Sequence, residues 1–135
     1  MSDIIAKAVH QLLANSPVIQ DVLGETPRLY DHAPEDPVFP YLSYGPMRSE
    51  ERGADDTALY SHQMTLHLWS RYAGRSEVLI LMEQLKSVLR DQSALATYLT
   101  EATLISATVR YADVLRAPDG RTHHGLLRLS ILTEH

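Results

Sequence analysis

The 135-residue chain contains no cysteine, which excludes a disulfide framework and any thiolate-bound metal. Its six glycines are scattered, so it has neither a glycine-rich phosphate loop nor the clustered glycines of a dinucleotide site. No Gly-x-Ser-x-Gly element is present, and the familiar nucleophile signatures fail with it. No apolar run approaches the roughly 20 residues that span a bilayer. Met1-Ser2-Asp3-Ile4-Ile5 lacks the basic segment and apolar core of a secretion signal. The expectation is a protein made and kept in the cytoplasm unless it leaves as part of a particle, with no membrane partner. Positive charge is also scarce: 12 Lys and Arg against 17 Asp and Glu give a formal net charge of −5. A balance of that sign opposes a surface that grips nucleic-acid backbone by counterion release.

What is present is ordinary globular material. At 44% hydrophobic and 21% charged, the chain is neither disordered nor membrane-spanning, and its length suits one core. Residues 1–135 are therefore expected to form a single domain.

Ile4, Ile5, Ala8, Val9, Leu12 and Leu13 follow a helical stripe that Ser2 can cap and Asn15-Ser16-Pro17 ends. Ser16, Pro17 and Gly24 frame a short second helix. Pro34, Pro37, Pro40 and Pro46 predict a rigid loop over 31–46, leading into an edge strand around Tyr41–Tyr44. Residues 48–58 have no period and almost no apolar weight, and predict a long mobile hairpin loop. From Tyr60 to Ser70 the alternation is clear: Tyr60, His62, Met64, Leu66 and Leu68 on one face, Gln63, Thr65, His67 and Trp69 on the other. Ser76 can cap a helix with the stripe Val78, Leu81, Met82, Leu85, Val88 and Leu89. Two more strands, Thr103–Leu115 and one through Leu127, Leu129 and Ile131, flank a Pro118-Asp119-Gly120 turn. The predicted fold class is α+β: a mainly antiparallel four- to five-stranded sheet with two main helices packed on one face.

The polar residues do not assemble into a catalytic or metal motif by spacing. His62 and His67 lie five apart on one strand and face opposite sides, and adjacent His123 and His124 diverge likewise. The acidic pairs Glu35-Asp36, Glu50-Glu51 and Asp55-Asp56 fall in polar segments, without the apolar enclosure that separates two carboxyl pKa values. No cofactor, metal ligand or catalytic residue is expected. The competing class is a small hydrolytic or ligand-binding domain, which two of these histidines within hydrogen-bond reach in an apolar pocket would favour. Trp69 is the single tryptophan and stands near Arg71, a combination suited to sheet packing or to an interface between subunits.

Several separated segments together resemble one family. They are the opening helix, Arg28-Leu29-Tyr30-Asp31, Ala33-Pro34, Phe39-Pro40-Tyr41-Leu42, Leu66-His67-Leu68-Trp69-Ser70-Arg71, Gly74-Arg75, and Thr122-His123-His124-Gly125. Their order is similar to that in the tail-completion or tail-terminator proteins of long-tailed bacteriophages and gene transfer agents. The resemblance implies a non-enzymatic structural subunit of a phage or phage-like particle. It implies a ring, hexameric, whose free subunit is able to stay monomeric until docking. The ring would terminate the tail tube, meet the tail tube protein and the head-tail connector or stopper protein, and let DNA through its channel without specific binding. A head-tail stopper or another neck ring is the related alternative. The expected interface residues are Arg48, Glu50, Glu51, Arg52, Asp55 and Asp56 in the hairpin segment, with Trp69 and Arg71. Deleting residues 49–57 is expected to spare the fold while disturbing tail joining.

Overall fold

The computed structural model describes residues 2–53 and 58–135. Among these residues the elements run α1 (Ser2–Ala14), α2 (Pro17–Leu23), β1 (Leu29–Tyr30), β2 (Tyr41–Glu51), β3 (Leu59–Ser70), α3 (Ser76–Leu89), α4 (Gln92–Tyr98), β4 (Thr103–Arg116) and β5 (His123–Glu134). The fold is α+β, and the strands form one sheet in the order β1-β2-β3-β5-β4. Strands β2 to β5 pair antiparallel as the sequence predicts, but β1 pairs parallel with β2, so the sheet is mixed. The ten residues between β1 and β2 carry the chain back to its starting end, which is what a parallel neighbour requires.

Local chemistry explains most boundaries. Ser16 Oγ accepts the Ile19 N–H at 3.5 Å, Pro17 opens α2, and Gly24 closes it at φ 105. Two expected caps are not made. Ser2 is itself helical and its hydroxyl meets Ser49 Oγ at 2.7 Å, while α3 starts without a side-chain cap. The unexpected helix is α4, where the Asp91 carboxylate accepts the Ala94 N–H at 3.1 Å and Leu95 is buried. Seven residues are too few to display a helical period in sequence.

Strand β2 corrects the hairpin expectation. It does not stop at Tyr44 but continues to Glu51, with Arg48, Ser49, Glu50 and Glu51 opposite Gln63, His62, Ser61 and Tyr60. Gly45-Pro46 is absorbed by a bulge between Tyr44 and Met47, a place where proline's missing N–H breaks no regular ladder. The connection therefore shortens to residues 52–58, and Asp55 and Asp56 lie outside the described residues. Ser49 Oγ also meets the buried His62 Nδ1 at 2.7 Å, so removing residues 49–57 would cut into the sheet.

The sheet is buried on one side. Along β5, His123, Gly125, Leu127, Leu129, Ile131 and Thr133 are buried, and the residues between them are not. Helix α3 lies against that face at Gly125, where an added Cβ would sit 2.8 Å from Met82 Sδ and 3.2 Å from Val78 Cγ2. Ile5, Val9 and Leu13 of α1 and Leu81 and Leu85 of α3 join the same core cluster as Leu66, Leu68, Leu127 and Leu129. Gly125 is thus a contact glycine. Gly125→Val should destabilise the protein by about 2 kcal/mol through overpacking. The check is a lowered urea midpoint at unchanged m-value; an unaltered midpoint would show that α3 does not press on β5.

Candidate functional site

Cross-strand register assigns every other side chain to the second, mixed face. One row crosses it as Tyr41, Trp69, His124 and Leu115 on β2, β3, β5 and β4. The Trp69 indole lies flat on the His124 ring, with centroids 4.0 Å apart and planes 6° apart, and Tyr41 flanks it at 6.3 Å. Its Nε1–H donates to Ser43 Oγ at 2.9 Å, so the ring is satisfied within the subunit and still half-exposed. At the strand end Arg71 stacks its guanidinium 4.3 Å from the Phe39 centroid and donates from Nε to Thr122 Oγ1 at 3.0 Å. The same guanidinium approaches Asp119 at 3.8 Å. Arg71 therefore ties the proline-rich loop, the end of β3 and the β4–β5 turn together. Within that turn, hydrogen bonds from the Thr122 hydroxyl and from the Thr122 and Arg121 amides hold the Asp119 carboxyl down to about 2.

The other end of the mixed face is charged. Arg48 and Arg52 both pair with Glu50, the second at 3.3 Å, and Glu51 is exposed. Register puts Arg48 and Glu50 six and eight residues from Trp69 along β3, about 20–26 Å away. Among the described residues the expected interface positions thus do not converge: Arg48 and Glu50 stand at one end of the mixed face and Trp69 at the other. Between the charged end and β4 lies a shallow concavity of about 590 Å3 whose lining includes Arg52, Arg110, Arg128 and Tyr111. The Arg128 guanidinium sits 5.4 Å from the Tyr111 centroid.

Two histidine contacts emerge that spacing along a strand could not reveal, because cross-strand register creates them. His67 Nδ1 and His124 Nε2 are 2.6 Å apart on the mixed face. His62 is fully buried on the other, between Ser49 Oγ at 2.7 Å and Thr133 Oγ1 at 3.0 Å. Both His62 nitrogens are partnered, which is how a buried neutral imidazole is satisfied. Among the described residues no three His, Asp or Glu side chains form a metal-binding group. No helix of the described residues is long and apolar enough to cross a membrane.

The family model Tail completion protein gp17 matches residues 7–134. The chain belongs to this tail-completion family. A chain in the solved "Virion of native gene transfer agent (GTA) particle" shares its fold, with a TM-score of 0.80 over 94% of this chain and 92% of that one, at 19% identity. No curated protein matches the chain. The resemblance carried by the short motifs around Tyr41, Trp69 and His124 is thus matched by a family model over nearly the full length.

The histidines predict a pH-dependent stability for this tail-completion protein. Burial pushes the His62, His67 and His124 imidazoles below their ordinary value of 6.5; His135 adds to the effect on His62, and His67 to that on His124. A lowered folded-state value means that the unfolded chain takes up protons first. Stability is therefore full above about pH 6.5 and falls as pH drops from there through the lowered values. A charged His67–His124 pair would also place two cations in hydrogen-bond contact. We expect the urea midpoint to fall between about pH 7 and pH 5, and the fall to be shallower in His67→Gln/His124→Gln. A flat wild-type profile would contradict the assignment of neutral histidines.

Proposed function

We propose that this tail-completion protein forms a closed ring that terminates the tail tube and joins it to the head connector of a phage or phage-like particle, with DNA passing through the hole. The observation that carries this reading is membership of the tail-completion family over residues 7–134. The fold shared with a chain of a gene transfer agent virion supports it. Six copies is the expected ring size, and the reading accommodates a free chain that is monomeric until a tube presents itself. The partners are further copies of the chain, the tail tube protein, and the connector or stopper protein.

Physical features of the subunit suit that work. The sheet ends on one side in the fourteen-residue β4, and on the other β1 pairs only with Leu42 and Ser43, leaving the rest of β2 as a second edge. Different surfaces at the two edges make a heterologous contact, which closes into a ring when its rotation permits. Ile105, Tyr111 and Leu115 expose apolar surface on β4, the kind of surface that a subunit interface covers. The net charge of −5 suits a channel past which DNA slides. Arg48, Glu50, Glu51 and Arg52, with Asp55 and Asp56 from the sequence, would meet neighbours at the hairpin end. Trp69 and Arg71 would do so at the other.

The His67–His124 contact favours no reaction in this reading, because the pair lies on an open face beside Trp69 and satisfies itself. Deletion of the gene should yield tails that are overlong or unjoined to heads in electron micrographs. The wild-type gene and the folded His67→Gln/His124→Gln variant should both restore joined particles of normal tail length. Normal particles from the deletion strain would refute the proposal. Failure of the folded histidine variant alone would favour a hydrolytic or ligand-binding role instead.

A further inference from the structure

Charge is distributed unevenly over this acidic chain. Among the described residues, the concavity on the mixed face takes Arg52, Arg110 and Arg128 into its lining and no carboxylate. Arg110 projects from the β4 bulge between Val109 and Tyr111, and Arg128 stands opposite Tyr111 on β5. Neither Arg110 nor Arg128 has a salt-bridge partner among the described residues, and Arg52 shares Glu50 with Arg48. Glu50 borders it through Arg52, and the Asp113 carboxylate borders it by accepting from the Tyr111 hydroxyl at 3.1 Å, but neither forms an ion pair with Arg110 or Arg128.

An acidic counterpart stands at the opposite corner of the molecule. The loop between β1 and β2 exposes Asp31, Glu35 and Asp36 without a Lys or Arg among residues 31–40. Val38 is 63% exposed beside them. Pro34, Pro37 and Pro40 restrict this loop, so little conformational freedom is left to lose on docking. Phe39 packs on Tyr41 and under Arg71, which anchors the loop's far end to the β2 edge. The concavity runs from Arg52 across β3 and β5 to β4, the other edge, where Arg110 and Tyr111 line it. Three strand spacings, about 14 Å, separate β2 from β4, with a further four residues, about 13 Å, along the strands. Loop and concavity are therefore separate surfaces of one subunit. A donor surface at one edge and an acceptor at the other is the arrangement of a heterologous, ring-forming contact.

We propose that the basic concavity receives the acidic segment 31–38 of a second copy of this chain. The proposal deepens the ring reading and rests on it. Arg110 and Arg128 would pair with Glu35 and Asp36, Val38 would cover the exposed ring of Tyr111, and the repeating contact would set the order of subunits around the tail end. Opposite charges would also speed encounter and reject the reversed orientation, in which loop meets loop.

Charge reversal on each side, alone and together, tests this in the full-length chain. The variants are Arg110→Glu/Arg128→Glu, Glu35→Arg/Asp36→Arg, and the four substitutions combined. Each complements the deletion strain, and copies of the protein per purified tail are counted by quantitative mass spectrometry. Circular dichroism and urea midpoints confirm that every variant folds. Either reversal alone should lower incorporation at least about tenfold, since like charges then face each other. The combined variant should recover to within about threefold of wild type. Normal incorporation of either single-sided variant overturns the proposal, as does failure of the folded combined variant to recover. Normal incorporation of Arg110→Glu/Arg128→Glu with loss of DNA retention would overturn it in favour of a nucleic-acid contact. Absence of multiple wild-type copies at the tail end would instead overturn the ring itself, so the two failures are distinguishable.

Discussion

Side-chain parity on β5 divides the sheet into two faces of different chemistry, and the rest of the structure depends on that division. Leu127, Leu129 and Ile131 point into one core with the helical stripes, while His124, Leu126 and Arg128 point the other way. A shift of register by a single residue would exchange the two sets. Gly125 locks the arrangement from the helix side, because only the absence of a side chain lets α3 approach so closely. On the same buried side His62 adds a second lock through its hydrogen bonds with Ser49 and Thr133, since a slip of two residues would leave its imidazole buried and unsatisfied.

The division is also what makes the molecule suited to assembly. A sheet covered on one face keeps its fold while presenting the other face and both edges to neighbours. The mixed face is stiffened rather than loose: Trp69 is stacked on His124 and hydrogen-bonded to Ser43, and Arg71 joins three segments at its end. Rigid, pre-satisfied surfaces dock with little loss of conformational freedom. Family membership says that the chain is a tail-completion protein, and this geometry says which parts of it are free to make contacts.

Much of this was legible in sequence because the relevant signals are local. The period-two run of β3, the 3.6-residue stripes of α1 and α3, and the Ser16-Pro17…Gly24 frame of α2 each report a nearby physical constraint. Pairing between strands is not local, and there the sequence was silent. The continuation of β2 through Gly45-Pro46 depends on a bulge against β3, and the parallel placement of β1 depends on where the proline-rich loop returns. The His67–His124 contact depends on the register of β3 with β5. The short helix α4 left only its Asp91 cap as a trace. For the site, residue type was informative and position was not: Trp69 and Arg71 suggested contact surface, but their distance from Arg48–Arg52 came only from the sheet.

The central claim is that the mixed face, uncovered in the isolated subunit, becomes covered in the assembled particle. Hydroxyl-radical footprinting of the free protein and of intact particles measures this directly, with Tyr111, 46% exposed, as the reporter on that face. The account predicts that Tyr111 labels markedly more slowly in particles, while Ile80, 58% exposed on α3 on the opposite side of the sheet, controls for general shielding. Equal labelling of Tyr111 in the free and assembled states would contradict it.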